Sequence, residues 1–166
     1  MISMDYEEIR LKMRAAYMHA TRSPDTSTKL GAIYCEEGWN VAVGINEFIE
    51  GFGNEPGDHE RPFKYAVMEH AERNCIFAAG HKRKFPLDGI MVCNWIACPD
   101  CARAIVKSGL KEVVCHHECQ QRTPERWREL VDNGLRILKR GGVKVTEWSG
   151  KVGEVTNLNN GEIWSP

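Results

Sequence analysis

Two short segments constrain this chain more than any others: His70-Ala71-Glu72, and Cys98-Pro99-Asp100-Cys101 after an intervening stretch of ordinary αβ length. A Cys-x-x-Cys pair whose second cysteine falls in the first turn of a helix places both thiolates on one metal, and the exposed N–H groups of that turn favour negative sulfur. A histidine at the start of a different helix supplies a third ligand. Three protein ligands leave the fourth tetrahedral position of zinc open for water, which separates a catalytic site from a structural one. Glu72, two positions beyond the histidine, stands beside such a metal without binding it and is free to move protons. A structural zinc or a redox pair is the plainer alternative for the cysteines; the placed carboxylate and the three-ligand count argue for hydrolysis by activated water.

Bulk properties bound the rest. At 166 residues and 42% hydrophobic, the chain reads as one domain over 1–166 with a full core. A net charge of −1 gives no general pull toward nucleic acid. Met1 to Arg14 mixes acids and bases without a long apolar run, and the seven cysteines are odd in number with metal-type spacing. Together these features point to a reducing cytoplasm rather than a disulfide framework. No stretch approaches the roughly 18 apolar residues of a membrane span.

From Asp5 to about Thr21, Ile9, Met13, Ala16, Tyr17 and Ala20 recur at helical spacing, and Ser23-Pro24-Asp25 turns the chain. Gly31–Cys35 and Trp39–Ile45 read as strands joined by a Gly-containing turn. Glu47 to Pro62 carries too many glycines and prolines for a regular element and reads as a mobile loop over a pocket. Phe48 or Phe52 covers the ligand of that pocket, or both are oligomer contacts. A helix is expected over Val67–Ala79 with Gly80 as its C-cap, a strand over Ile90–Cys93, and a helix from Pro99 to Ser108. Val113-Val114 makes a fourth strand. Thr123 N-caps a long helix whose apolar side is Trp127, Leu130, Leu135 and Leu138, and Val143–Val145 is a fifth strand. This order puts helices on both faces of a mixed sheet.

His-x-Glu followed by Cys-x-x-Cys is the signature of zinc-dependent nucleobase deaminases. More widely, Ser27-Thr28-Lys29-Leu30-Gly31-Ala32, Gly44-Ile45-Asn46, Lys64-Tyr65, His70 to Asn74, Cys98 to Ala102 and Lys107-Ser108-Gly109-Leu110 resemble, in order, the deoxycytidylate (dCMP) deaminase branch, over about residues 22–145. The resemblance implies the three-layer α/β/α cytidine deaminase-like fold with a five-stranded mixed sheet. It implies Zn2+ held by His70, Cys98 and Cys101, with Glu72 as proton carrier. The Ala71 N–H would read the pyrimidine edge and Asn46 would hold the sugar. Lys64, Arg61 and Arg73 are phosphate candidates by charge and local position. The implied partners are a small-molecule nucleotide and further copies of the chain in a homo-oligomer, with no membrane and no nucleic acid.

The chain also departs from that pattern. Ile96-Ala97 stands where the branch usually has Ser or Thr and then Pro; Glu47 to Gly53 replaces a Gly-x-Pro-x-Gly loop; and His116-His117-Glu118-Cys119 stands where many relatives carry a tyrosine. The last two changes bear on specificity for the 5′-phosphate. Deamination of another cytosine nucleoside or nucleotide, or of tRNA adenosine, is the alternative, and a zinc-stabilised binding module is a third reading. Cys115 to Cys119 also offers ligands for a second metal, but strand alternation sends adjacent side chains to opposite faces. In the tail, residues 146–166, Trp148 and Trp164 dock on a neighbouring subunit or cover the chain's own sheet.

Overall fold

The computed structural model describes residues 4–166. Helix α1 (Tyr6–Ala20) opens on a capping box in which Asp5 takes the Glu8 N–H and Glu8 takes the Asp5 N–H. Strands β1 (Gly31–Glu36) and β2 (Trp39–Ile45) follow as a hairpin, then β3 (Glu47–Phe48), a 3-10 turn at Pro56–His59, α2 (Lys64–Val67), β4 (Met68–Glu69) and α3 (Ala71–Gly80). The chain continues through β5 (Ile90–Cys93), α4 (Pro99–Ser108), β6 (Glu112–His116), α5 (His117–Gln121), α6 (Glu125–Arg140) and β7 (Lys144–Trp148), and ends on a hairpin of β8 (Asn157–Asn159) and β9 (Glu162–Trp164).

The main sheet has five strands in the order β2-β1-β5-β6-β7, antiparallel through β5 and parallel from β5 to β7. Strand alternation divides the core. Ala32, Tyr34, Met91, Cys93, Val113 and Cys115 face the layer of α3, α4 and α6, whereas Ile33, Cys35, Ile90, Val92 and Val114 face α1 and the C-terminal segment. The expected mixed sheet with helices on both faces is present, and Cys35, Cys75 and Cys93 are buried in it as small core residues. Gly44 lets α3 lie directly on β2: a Cβ there would stand 2.1 Å from the Ala71 carbonyl oxygen.

Several local expectations change. The helix expected from Val67 begins only at Ala71, because Met68-Glu69 pairs with Glu47-Phe48 and His70 is extended at φ −84°, ψ 151°. The 47–62 segment therefore contains short regular elements. In it Phe48 packs edge-on against His59, with ring centroids 4.7 Å apart. Thr123 does not cap α6; its hydroxyl accepts the Trp95 indole N–H at 2.9 Å, and Pro124 takes the N-cap position without a side-chain bond. On α6 itself only Gly134 and Leu138 are buried. Both tail tryptophans pack on this chain's own core: Trp148 is buried and Trp164 stacks on His116 with centroids 5.9 Å apart. Among the described residues, no helix is long and apolar enough to cross a membrane.

Candidate active site

The extended backbone at His70 has a consequence for the site. It stops the helical ladder one residue early, so the N–H groups of Ala71 and Glu72 at the start of α3 have no intrahelical acceptor. The Glu69 carboxylate fixes the bend by taking the His70 N–H at 2.8 Å. Cys98 is likewise the N-cap residue of α4, with Pro99 behind it in the first turn, where its missing N–H costs nothing. Two helix starts thus converge.

His70 Nδ1 lies 3.5 Å from Cys98 Sγ and 3.4 Å from Cys101 Sγ. Zinc bonds of about 2.0 Å to nitrogen and 2.3 Å to sulfur at a tetrahedral angle require an N···S edge of about 3.5 Å, so the donor set fits that metal. His70, Cys98 and Cys101 are the one group of three or more such ligands that converges among the described residues. The donors also act on one another's protons. Hydrogen bonding from Cys101, aided by His70, brings the Cys98 thiol down to about 4. Cys101 is pushed up, first by giving its proton to Cys98 and then by burial. His70 rises to about 9, chiefly through its bond to Cys98.

Glu72 is buried, and burial raises its carboxyl above the ordinary range, with the nearby His70 working against the shift. It lines an inner, mainly apolar chamber with His70 and Cys98, walled by Trp95, Ile96, Trp127 and Leu130. An outer, polar chamber adjoins it, and Leu30, His70, Trp95 and Trp127 line both.

The remaining predicted residues separate. Asn46 lines the outer chamber, but its amide also holds the fold: Oδ1 accepts the Leu30 N–H at 2.7 Å, and Nδ2 donates to the Thr28 carbonyl at 2.8 Å and to Asp25 at 3.3 Å. One Oδ1 lone pair is left for a ligand. Lys64 lines the same chamber with its ammonium committed to Asp25 at 2.6 Å, and both side chains are buried. Arg73 lines neither chamber and pairs with Glu69 at 2.6 Å. Arg61 is in the outer wall, donating to Ser27 Oγ at 3.0 Å and lying over the Tyr65 ring. Cys115 and Cys119 go separate ways, the first toward the Thr146 carbonyl and the second accepting from Asn159.

Sequence reasoning missed Trp95 and Arg126 as lining residues and counted Trp127 only as helix packing. The available signal for Trp95 was its place just beyond the carboxyl end of β5, where α/β sheets collect their ligands.

The profile of the cytidine and deoxycytidylate deaminase zinc-binding region matches residues 6–117. The chain belongs to this deaminase family. An uncharacterized deaminase from the luxG 3′ region of Aliivibrio fischeri is 32% identical over 127 residues, 75% of this chain and 82% of that protein. Mouse deoxycytidylate deaminase is 29% identical over 126 residues, 69% of each chain. Among solved structures, the cyanophage S-TIM5 dCMP deaminase in complex with dCMP and dUMP superposes with a TM-score of 0.66 at 24% identity, covering 87% of this chain and 99% of that one. Acinetobacter baumannii RibD gives 0.61 at 18% identity, with this chain spanning 35% of its length. These superpositions establish the cytidine deaminase-like fold.

Proposed function

We propose that this deaminase-family chain hydrolyses dCMP to dUMP and ammonia, supplying a thymidylate precursor. The observation that carries the reading is a buried carboxylate, Glu72, lining one apolar chamber with His70 and Cys98, which converge with Cys101 into a zinc-fitting donor set. That chamber shares Leu30, His70, Trp95 and Trp127 with a second one bearing Arg61. Deoxycytidylate deaminases among the relatives support the choice of substrate.

His70, Cys98 and Cys101 would hold zinc, whose Lewis acidity would activate water near neutral pH. Glu72 is the proton carrier. It takes one proton from water as the oxygen adds to C4 of cytosine and passes it to ring N3, then carries the C4 hydroxyl proton to the amino nitrogen, so that the C4–N bond breaks and ammonia leaves. Its buried position suits this task, since burial raises the carboxyl's affinity for the proton it has to carry. The free Ala71 N–H at the start of α3 reads the pyrimidine edge. Asn46 offers its remaining lone pair to the sugar, Arg61 faces the phosphate end, and Lys64 serves by holding Asp25.

Action as a homo-oligomer in the cytoplasm belongs to the same proposal. Exposed Trp39, Phe77 and Phe85 provide apolar surface for further copies, and free cysteines fit a reducing compartment. The reading is tested by ammonia release from zinc-loaded protein offered dCMP, deoxycytidine, dCTP, cytidine and an adenosine-containing tRNA stem-loop in parallel. Preference for dCMP is expected. Turnover of another substrate alone would overturn the specificity, and turnover of none would overturn the enzymatic reading.

A further inference from the structure

The C-terminal hairpin lies beyond the family-matched residues 6–117, yet it forms part of the outer chamber wall through Asn159 and Asn160. It is built for that place. Asn160 and Gly161 form a two-residue turn with φ +51° and +83°, the conformation in which Asn-Gly is favoured. One side of the hairpin is fastened to the 27–29 loop: Lys29 N–H donates to the Leu158 carbonyl at 2.9 Å, Gly161 N–H to the Ser27 carbonyl at 2.8 Å, and Asn160 N–H to Thr28 Oγ1 at 3.0 Å. The other side is fastened to the core through Trp164 on His116.

At the tip, Asn160 Oδ1 accepts from the Arg126 guanidinium at 2.9 Å, and Arg126 also lies over the Trp127 ring. Arg61 has the corresponding arrangement across the chamber, with Ser27 and Tyr65 as its supports. Tyr65 and Trp127 meet edge-to-face at 5.4 Å, so the two supporting rings form one unit. Among the described residues, neither guanidinium has a carboxylate partner, whereas Lys64 in the same wall is neutralised by Asp25. Two fork-shaped donors left uncompensated in one polar chamber match a phosphate monoester dianion.

We propose that this hairpin is a specificity element of the active site: Arg126, positioned by Asn160, joins Arg61 in holding the 5′-phosphate of a nucleoside monophosphate. The inference rests on the deaminase reading above and adds to it the residues that distinguish a nucleotide from a nucleoside. Asn160 acts only through Arg126.

The test is the ratio of kcat/KM for dCMP to kcat/KM for deoxycytidine, measured with zinc-loaded wild type, Arg126→Ala, Arg126→Lys and Asn160→Gly, with zinc content and unfolding temperature checked for each. Glycine keeps the left-handed backbone at position 160 and removes only the side chain. Loss of a charge-assisted hydrogen bond to phosphate should lower the ratio by about 10- to 100-fold in Arg126→Ala, mostly through KM for dCMP. Arg126→Lys should recover part of this loss, and Asn160→Gly should shift the ratio in the same direction by less. An unchanged ratio in Arg126→Ala overturns the inference while leaving the deaminase reading intact. A wild type without preference for dCMP over deoxycytidine overturns the inference and the choice of dCMP together, and turnover of neither overturns the deaminase reading; both failures show before any variant is examined.

Discussion

A Cβ placed on Gly134 would stand 1.9 Å from the carbonyl oxygen of Ala97. α6 is thereby pressed backbone-to-backbone onto the loop that delivers Cys98, and the glycine in mid-helix is there for close approach despite a propensity cost of about 1 kcal/mol. Gly134→Ala should recover that propensity and still destabilise the protein by about 1–3 kcal/mol, because backbone rather than a movable side chain must give way. Urea unfolding measures the loss. A neutral or stabilising result would mean that α6 is free to slide on the loop.

Glu72→Gln keeps the shape of the side chain and removes the proton carrier. Turnover should fall by about 100- to 10,000-fold with bound zinc unchanged, as measured by ammonia release beside metal analysis. Loss of zinc together with activity would assign Glu72 a structural part in the metal site.

Lys64 and Asp25 form a buried pair, at 7% and 8% side-chain exposure, and Asp25 also accepts the N–H groups of Ser27 and Thr28. Lys64→Met strands the carboxylate and should cost about 3–5 kcal/mol. Adding Asp25→Asn should recover part of it, since the stranded charge is then gone. A loss below about 1 kcal/mol in the single variant would show that water reaches Asp25.

His116 is fully buried with Nε2 3.0 Å from the Gly150 carbonyl, so this nitrogen carries the hydrogen and Nδ1 accepts from the Tyr17 hydroxyl at 2.8 Å. Burial lowers its pKa below the ordinary 6.5. The unfolded chain then binds the proton more readily than the folded one, so this contribution to stability is complete above about pH 6.5 and is lost as pH falls below it. The NMR midpoint of the ring should lie below 6.5 in the folded protein. A midpoint at or above that value would refute the neutral, buried ring.

Much of this was legible from residue spacing. The period of three and four in α1, the strand runs, and the two motif segments each report local physics, and local physics sets which elements form. Other features had a signal that went unread: Asn160-Gly161 is a strong hairpin marker, and it closes β8 onto β9. The start of α3 had no local signal. His70 follows residues with ordinary helical character, and it is the pairing of Met68-Glu69 with Glu47-Phe48 that holds it extended.

By itself, then, the sequence determined the chemistry on offer: a histidine, two thiols and a carboxylate at spacings that only a zinc hydrolase explains economically, on a chain of alternating strands and helices. The tertiary structure decided which charges remain available. Lys64, Arg61 and Arg73 are equivalent cations on paper. In the fold Lys64 meets Asp25, Arg73 meets Glu69, and, among the described residues, Arg61 is left without a carboxylate in a chamber wall it shares with Arg126, a residue far away in sequence. Charge is a local property of a side chain, whereas its neutralisation depends on neighbours brought in from distant segments, and that pairing arises only when the chain packs.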